Sequence, residues 1–329
     1  MESAKPEIDY EFLPFFRLYK DGHVERLRDT DFVPAASPAD TITGVSSKDI
    51  TIVREEPDTN ISARLYLPKI TTQNQKFPLL VYFHGGGFCI SSPFNSKYHN
   101  YVNALVAEAN VVAVSVNYRK APEHPIPTAY EDSWAALQWV VSHSSNGGGP
   151  ESWLNDHADF ERVFLAGDSA GANICHNIAM LAGDPEFGLC VDLLGVALVH
   201  PYFWGSDPIG SEALHPGKAS TDRLWPLICP SNPENDDPRV NPVAAGGPSL
   251  VGLGCRRVLV CVAENDVLKD RGWLYYNELG RCGWNGVVEI VETDGENHVF
   301  HLYDLQSDKA KALIRRLAAF FNRDMPPLP

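Results

Sequence analysis

Along this chain, short apolar runs alternate with longer segments of helical spacing. The runs 78–83 (PLLVYF), 111–118 (VVAVSVNY), 162–166 (RVFLA), 193–199 (LLGVALV), 257–263 (RVLVCVA) and 287–292 (VVEIVE) are nearly continuous in apolar or β-branched character. A strand with one wet face alternates apolar and polar residues, whereas a strand covered on both faces does not. These runs therefore predict a buried, mostly parallel sheet. Between them, residues 98–109, 129–143, 170–182, 270–283 and 308–323 carry apolar side chains at helical intervals. Strand and helix in turn predict an α/β fold with helices on both faces of the sheet. Nearer the start, 47–55 and 61–69 alternate apolar with polar, which predicts an antiparallel hairpin at the sheet edge.

Two stretches break the alternation. Residues 1–45 are aromatic-rich and irregular, and 201–247 are dense in Pro and Gly. A structureless loop of that length is uncommon inside a compact domain. Phe203, Trp204, Trp225 and Leu227 within it also need burial. Both stretches are expected to form a small cap over one domain spanning 1–329. The run 142–152 (SHSSNGGGPES) reads as a surface loop between a helix and the next strand. It lacks the Gly-Lys-Ser/Thr that would cradle phosphates.

Composition narrows the function. The chain has 329 residues, 44% of them hydrophobic, and a formal net charge of −15 with the acids scattered. That balance suits a soluble protein and argues against nucleic acid or an anionic membrane as partner. No apolar run reaches the length of a membrane span, and neither terminus carries a targeting pattern. Seven cysteines (89, 175, 190, 229, 255, 261, 282) are odd in number, irregular in spacing and without a C-x-x-C pair. Free thiols in a reducing compartment, the cytoplasm, are expected. There the acceptor triplet Asn60-Ile61-Ser62 would be inert. Neither metal nor cofactor is expected.

The candidate chemistry begins at Gly167-Asp168-Ser169-Ala170-Gly171. This G-x-S-x-G pattern follows a buried strand and precedes a helix, the context that a nucleophile elbow requires. Upstream, His84-Gly85-Gly86-Gly87 leaves another strand. Consecutive glycines let backbone N–H groups turn toward an anion. The N–H groups of Gly86, Gly87 and Ala170 are assigned to an oxyanion hole, with His84 and Gly85 supporting the loop. For the acid, Asp266 stands just past a strand end, Glu264 is the second choice, and Asp270 reads as a helix cap. The base is expected to follow the last strand. His298 fits, with His301 as its competitor, and His176, His200 and His215 read as structural or exposed. The order Ser169, Asp266, His298 is that of the Ser-Asp-His array on α/β-hydrolases.

With these residues the chain resembles the plant carboxylesterases of the hormone-sensitive-lipase group. The resemblance rests on HGGG (84–87), NYRKAPEHPIPTAYED (117–132), GDSAGAN (167–173), DVLKD (266–270) and HVFH (298–301). It runs from FFRLYKDGHVERL (15–27) to the last helix. It implies a cytosolic α/β-hydrolase that cleaves small esters, with a small-molecule ester or hydroxy substrate as partner; the oligomeric state, monomer or weak dimer, is left open. Arg119, Glu123 and Asp132 fall in shared motifs and are expected as buried polar supports, and Asn173 as an organiser of the elbow. Gibberellin receptors of the group lack the catalytic histidine, whereas His298 is present here. Some alkaloid cyclases of the group replace members of the array or alter the glycine run, both intact here. The 2-hydroxyisoflavanone dehydratases are the nearest alternative. Some of them carry threonine where Ser169 stands.

Overall fold

The computed structural model describes residues 7–52, 61–145 and 147–323. The expected strand end at 53–55, Asn60 of the acceptor triplet and the closing run 325–329 lie outside the described residues.

The aromatic-rich N-terminal stretch is more ordered than its sequence suggests. Strands β1 (Ile8–Phe12), β2 (Phe16–Tyr19) and β3 (Val24–Arg26) form a small antiparallel sheet. With three to five residues each, they are too short to display a period. Phe12 and Phe16 are buried in the main core. Arg26 ties this sheet to the rest. Its guanidinium donates to the carbonyls of Cys89 (2.7 Å) and Ala121 (3.3 Å) and grips the Glu123 carboxylate at 2.7 and 2.8 Å. Glu123, expected as a buried support, is therefore a partly exposed anchor for β3.

The main sheet holds β4 (Ser46–Ile52), β5 (Ile61–Leu67), β6 (Phe77–Phe83), β7 (Val112–Asn117), β8 (Ala158–Asp168), β9 (Leu193–Val199), β10 (Arg257–Ala263) and β11 (Val287–Thr293). The strand order is β11-β10-β9-β8-β6-β7-β5-β4. The six strands from β6 onward run parallel, while β5 runs antiparallel to both β7 and β4. The expected hairpin thus sits at the sheet edge. Alternation within β6 sends Leu79, Val81 and Phe83 to one buried layer and Leu80 and Tyr82 to the other. This is why the strands read as continuous apolar runs.

Helices α1 (Ser96–Ala109) and α7 (Asp308–Asn322) pack on one face. On the other lie α2 (Thr128–Ser142), α4 (Ala170–Gly183) and α6 (Lys269–Arg281), with the short α3 (Ser152–His157) leading into β8. The chain leaves β6 toward β7 on one side and then returns to β8 on the other. That reversal opens a crevice beyond the carboxyl ends of β6 and β8, the usual ligand position in an open α/β sheet.

The Pro- and Gly-rich stretch contains helix α5 (Lys218–Ile228), hidden in the sequence by Pro226 in its interior. Proline has no N–H for the carbonyl four residues back, and Asn235 Nδ2 takes that Asp222 carbonyl instead, at 3.1 Å. Phe203, Trp204 and Trp225 are buried, and Leu227 packs against the core. Two acids tie the stretch to α6. Glu212 is fully buried and receives Arg271 Nε at 2.7 Å and Nη2 at 3.0 Å. Asp270 accepts the N–H and the hydroxyl of Ser211 at 2.6 and 2.7 Å. It was expected to cap a helix, but it clamps this segment.

Breaking a buried ion pair from one side strands the other charge. Arg271→Met should destabilise the protein by about 3–5 kcal/mol in urea unfolding, and pairing it with Glu212→Leu should restore much of the loss.

Candidate active site

Strand β8 ends at Asp168, and the next residue turns the chain into α4. Ser169 makes that turn with φ 53° and ψ −118°, a conformation that side chains rarely adopt. The turn is held by Ser169 N–H to Val199 O (2.9 Å), Tyr202 N–H to Ser169 O (3.0 Å) and Asn173 N–H to Ser169 O (3.1 Å). It is also held by space. A Cβ on residue 171 would lie 1.9 Å from the Phe83 carbonyl oxygen, so only glycine fits. Asn173 organises the region as expected. Its Oδ1 accepts the Tyr130 hydroxyl at 2.7 Å, and its Nδ2 donates to Arg239 O and Tyr202 O at 2.7 and 3.0 Å.

The glycine loop leaves β6 beside this turn. Gly86 has φ 101°, and a side chain there would strike the Ile90 carbonyl at 2.4 Å. The Gly85 N–H is already taken by the Tyr98 hydroxyl (2.8 Å) and Asp168 (3.2 Å). Among the described residues no acceptor takes the N–H of Gly86, Gly87 or Ala170. Ala170 opens α4, so its N–H also stands at the positive end of the helix dipole. His84 is buried and stacks on Tyr118 at 4.4 Å. Burial pushes its pKa down to about 3. It props the loop as a neutral ring whose Nδ1–H donates to the Gly85 carbonyl at 2.7 Å.

Sequence reasoning passed over Asp168, the variable residue of the elbow motif. Its buried carboxylate accepts the hydroxyls of Tyr82 (2.6 Å) and Tyr98 (2.8 Å) as well as the Gly85 N–H. Burial raises its pKa against the pull of those donors. This one side chain ties the glycine loop to the elbow. The only sequence signal was an acid in an otherwise small-residue motif.

The remaining groups arrive from the far strands. His298, on the loop after β11, places Nε2 at 2.9 Å from Ser169 Oγ and Nδ1 at 2.6 Å from Asp266 Oδ2. Asp266 is 2% exposed and also accepts the Leu268 N–H at 3.0 Å. Burial opposes its charge, yet His298 holds its carboxyl below the ordinary range. His298, about a third exposed (34%), is raised: burial lowers its pKa, and the Asp266 carboxylate more than offsets this. The two alternatives lie elsewhere. Glu264 is exposed and braces the loop by accepting Gly295 N–H at 2.5 Å. His301 is fully buried against Tyr101, and neither of its ring nitrogens has a hydrogen-bond partner among the described residues. His176 is structural, bonded to the Tyr275 hydroxyl at 3.1 Å. Asp132 is buried and braces the loop after β7 by receiving Arg119 at 2.8 and 2.9 Å.

His200, expected as structural or exposed, is buried, and its ring stands 5.9 Å from that of His298. With Asp266 and His298 it brings three potential metal-ligating atoms within 4.8 Å of one another. Hydrogen bonds within the protein account for that grouping: Asp266 to His298, and Val299 N–H to His200.

Above these groups lies a cavity of about 480 Å³. Ser169, His298 and Gly86 form part of its floor; Phe12 and Phe15 enter from the N-terminal sheet, and Thr221 and Leu224 from α5. The arrangement can present an alcohol oxygen to an electrophile, remove its proton and stabilise an adjacent oxyanion.

Comparison with known proteins agrees with the geometry. A family profile described as alpha/beta hydrolase fold matches residues 80–302. The chain is 48% identical to probable carboxylesterase 2 of Arabidopsis thaliana, over 98% of this chain and 99% of the relative. It is 46% identical to 2-hydroxyisoflavanone dehydratase of Glycyrrhiza echinata, over 97% of each. Among solved structures, an esterase of Pyrobaculum calidifontis superposes with a TM-score of 0.69 at 28% identity, over 84% of each chain. The chain belongs to the α/β-hydrolase family, within the plant group that holds these carboxylesterases and dehydratases.

Proposed function

We propose that the protein is a serine carboxylesterase in which Ser169 is the nucleophile, His298 the proton carrier and Asp266 its orienting acid. The observation that supports this most strongly is the unbroken hydrogen-bond chain Ser169 Oγ, His298, Asp266 at 2.9 and 2.6 Å. Asp266 accepts from Nδ1–H, which leaves the Nε2 lone pair for the Ser169 hydroxyl proton. Ser169 Oγ attacks the ester carbonyl carbon, and its proton passes to His298 Nε2. The carbonyl oxygen becomes an oxyanion and receives the N–H groups of Gly86, Gly87 and Ala170. Each such donor is worth about 3–4 kcal/mol of barrier. His298 then protonates the departing alcohol. A water attacks the acyl-enzyme by the same route and releases the acid.

Residues 7–45, the described part of the N-terminal stretch, and 201–247 serve as the cap of a single domain, since both supply walls of the cavity. The cavity's size supports a small ester as substrate. No helix among the described residues is long and apolar enough to cross a membrane. The seven cysteines are free thiols, which supports the cytoplasm as location.

A second reading, loss of water from a hydroxy substrate, draws on the likeness to the dehydratase. There His298 would remove a proton from carbon and the oxyanion hole would hold the adjacent carbonyl, with no acyl-enzyme.

Ser169→Ala should lower p-nitrophenyl acetate turnover by roughly 10⁴-fold or more; equal rates in variant and wild type would sink the esterase reading. Retained conversion of 2-hydroxyisoflavanone by Ser169→Ala would favour the second. Because the base works only when neutral and its pKa is raised, kcat/KM should fall as pH drops, with a midpoint above 6.5. Asp266→Asn should move that midpoint down and cut kcat by about 10⁴-fold. A pH–rate profile of both enzymes checks this.

A further inference from the structure

At the carboxyl end of β9 the chain turns through His200, whose ring is 1% exposed and whose backbone is left-handed (φ 48°). Its N–H donates to the Cys261 carbonyl of β10 at 2.7 Å. Its Nδ1 accepts the N–H of Val299 at 2.9 Å. Val299 directly follows His298 and is itself left-handed (φ 48°). A β-branched residue in that region persists only where its surroundings hold it there. The bond from His200 is such a hold, and it acts one residue from the base.

A ring nitrogen that accepts an N–H carries no proton. The His200 ring is therefore neutral, with its hydrogen on Nε2, which has no partner among the described residues. Protonation would set an N–H against the Val299 N–H and add a positive charge beside His298. The ionisable groups facing the pair are Asp266 past β10, Asp168 at the end of β8 and His301 on the turn after His298. Asp266 favours a charged His200, but burial outweighs it and pushes the pKa down to about 3. His301 is likewise kept neutral by burial. Of the three histidines packed together here, His298 alone is raised.

We propose that His200 is a positioning residue: its neutral ring fixes the backbone of the loop that carries His298, and thereby the reach of His298 to Ser169 and Asp266. The proposal rests on the catalytic reading of those three residues. It separates the jobs of two neighbouring histidines, one that moves protons and one that does not.

The test compares wild type, His200→Phe and His200→Asn. Phenylalanine keeps the ring volume without the acceptor; asparagine offers an acceptor without the ring. Two readouts are taken: steady-state kinetics on p-nitrophenyl acetate across pH, and proton NMR of the far-downfield His298 Nδ1–H. His200→Phe should lower kcat by about 10- to 100-fold with KM nearly unchanged. It should also move the acid limb toward lower pH and broaden or shift the Nδ1–H signal, as the Asp266 bond loosens. His200→Asn should recover part of both. If His200→Phe keeps the wild-type kcat, acid limb and Nδ1–H signal and loses only thermal stability, the proposal is overturned. The NMR readout does not depend on turnover. A wild type without esterase activity would count against the esterase reading while leaving the role of His200 measurable.

Discussion

The end of β6 and the first turn of α4 approach so closely that the Phe83 carbonyl occupies the space of any side chain on residue 171. Most of the candidate site depends on this contact. It exists because β6 and β8 are neighbours in register, Phe83 beside Gly167, although the chain visits β7 between them. The glycine loop leaves one strand and the elbow leaves the other, so the contact fixes the distance between Ser169 and the N–H groups of Gly86 and Gly87. Asp168 then bolts the two together through Tyr82, Tyr98 and the Gly85 N–H. Hydrogen-bond donors held this rigidly need no reorganisation when charge develops on a substrate oxygen.

Asp266 and His298 come from the other half of the sheet, and their placement depends on loops. Asp266 sits just past β10 and is locked by the Leu268 N–H. His298 lies on a longer excursion after β11, braced by Glu264 at Gly295 and by His200 at Val299. The two segments proposed as a cap are fastened separately. Arg26 holds the N-terminal sheet against the loop that follows the glycines, and Arg271 with Asp270 hold the later segment against α6. The cavity is thus closed by elements with their own anchors, so its walls can vary while the floor stays constant.

The parallel sheet and its helices were legible because continuous apolar runs and helical spacing are direct consequences of two-sided burial. Ser169, Asp266 and His298 were legible because the elbow needs small neighbours and the strand ends fix where partners emerge. Three things were not. The strands of the N-terminal sheet are too short to show a period. Helix α5 carries an internal proline that its sequence reads as a break, and Asn235, seven residues beyond the helix, takes the Asp222 carbonyl that the proline leaves without an N–H. The roles of Asp168, Glu123, Asp270 and His200 depend on partners 59 to 99 residues away, such as Ser211 for Asp270 and Val299 for His200. No local pattern encodes such pairings.

The central claim is that Ser169 becomes covalently acylated during turnover. Rapid quenching during hydrolysis of a slowly deacylating p-nitrophenyl ester, followed by intact mass and peptide mapping, tests this directly. The account predicts a mass gain of one acyl group on the peptide that contains Ser169, and none in Ser169→Ala. Steady turnover with no adduct, or an adduct on another residue, would contradict it.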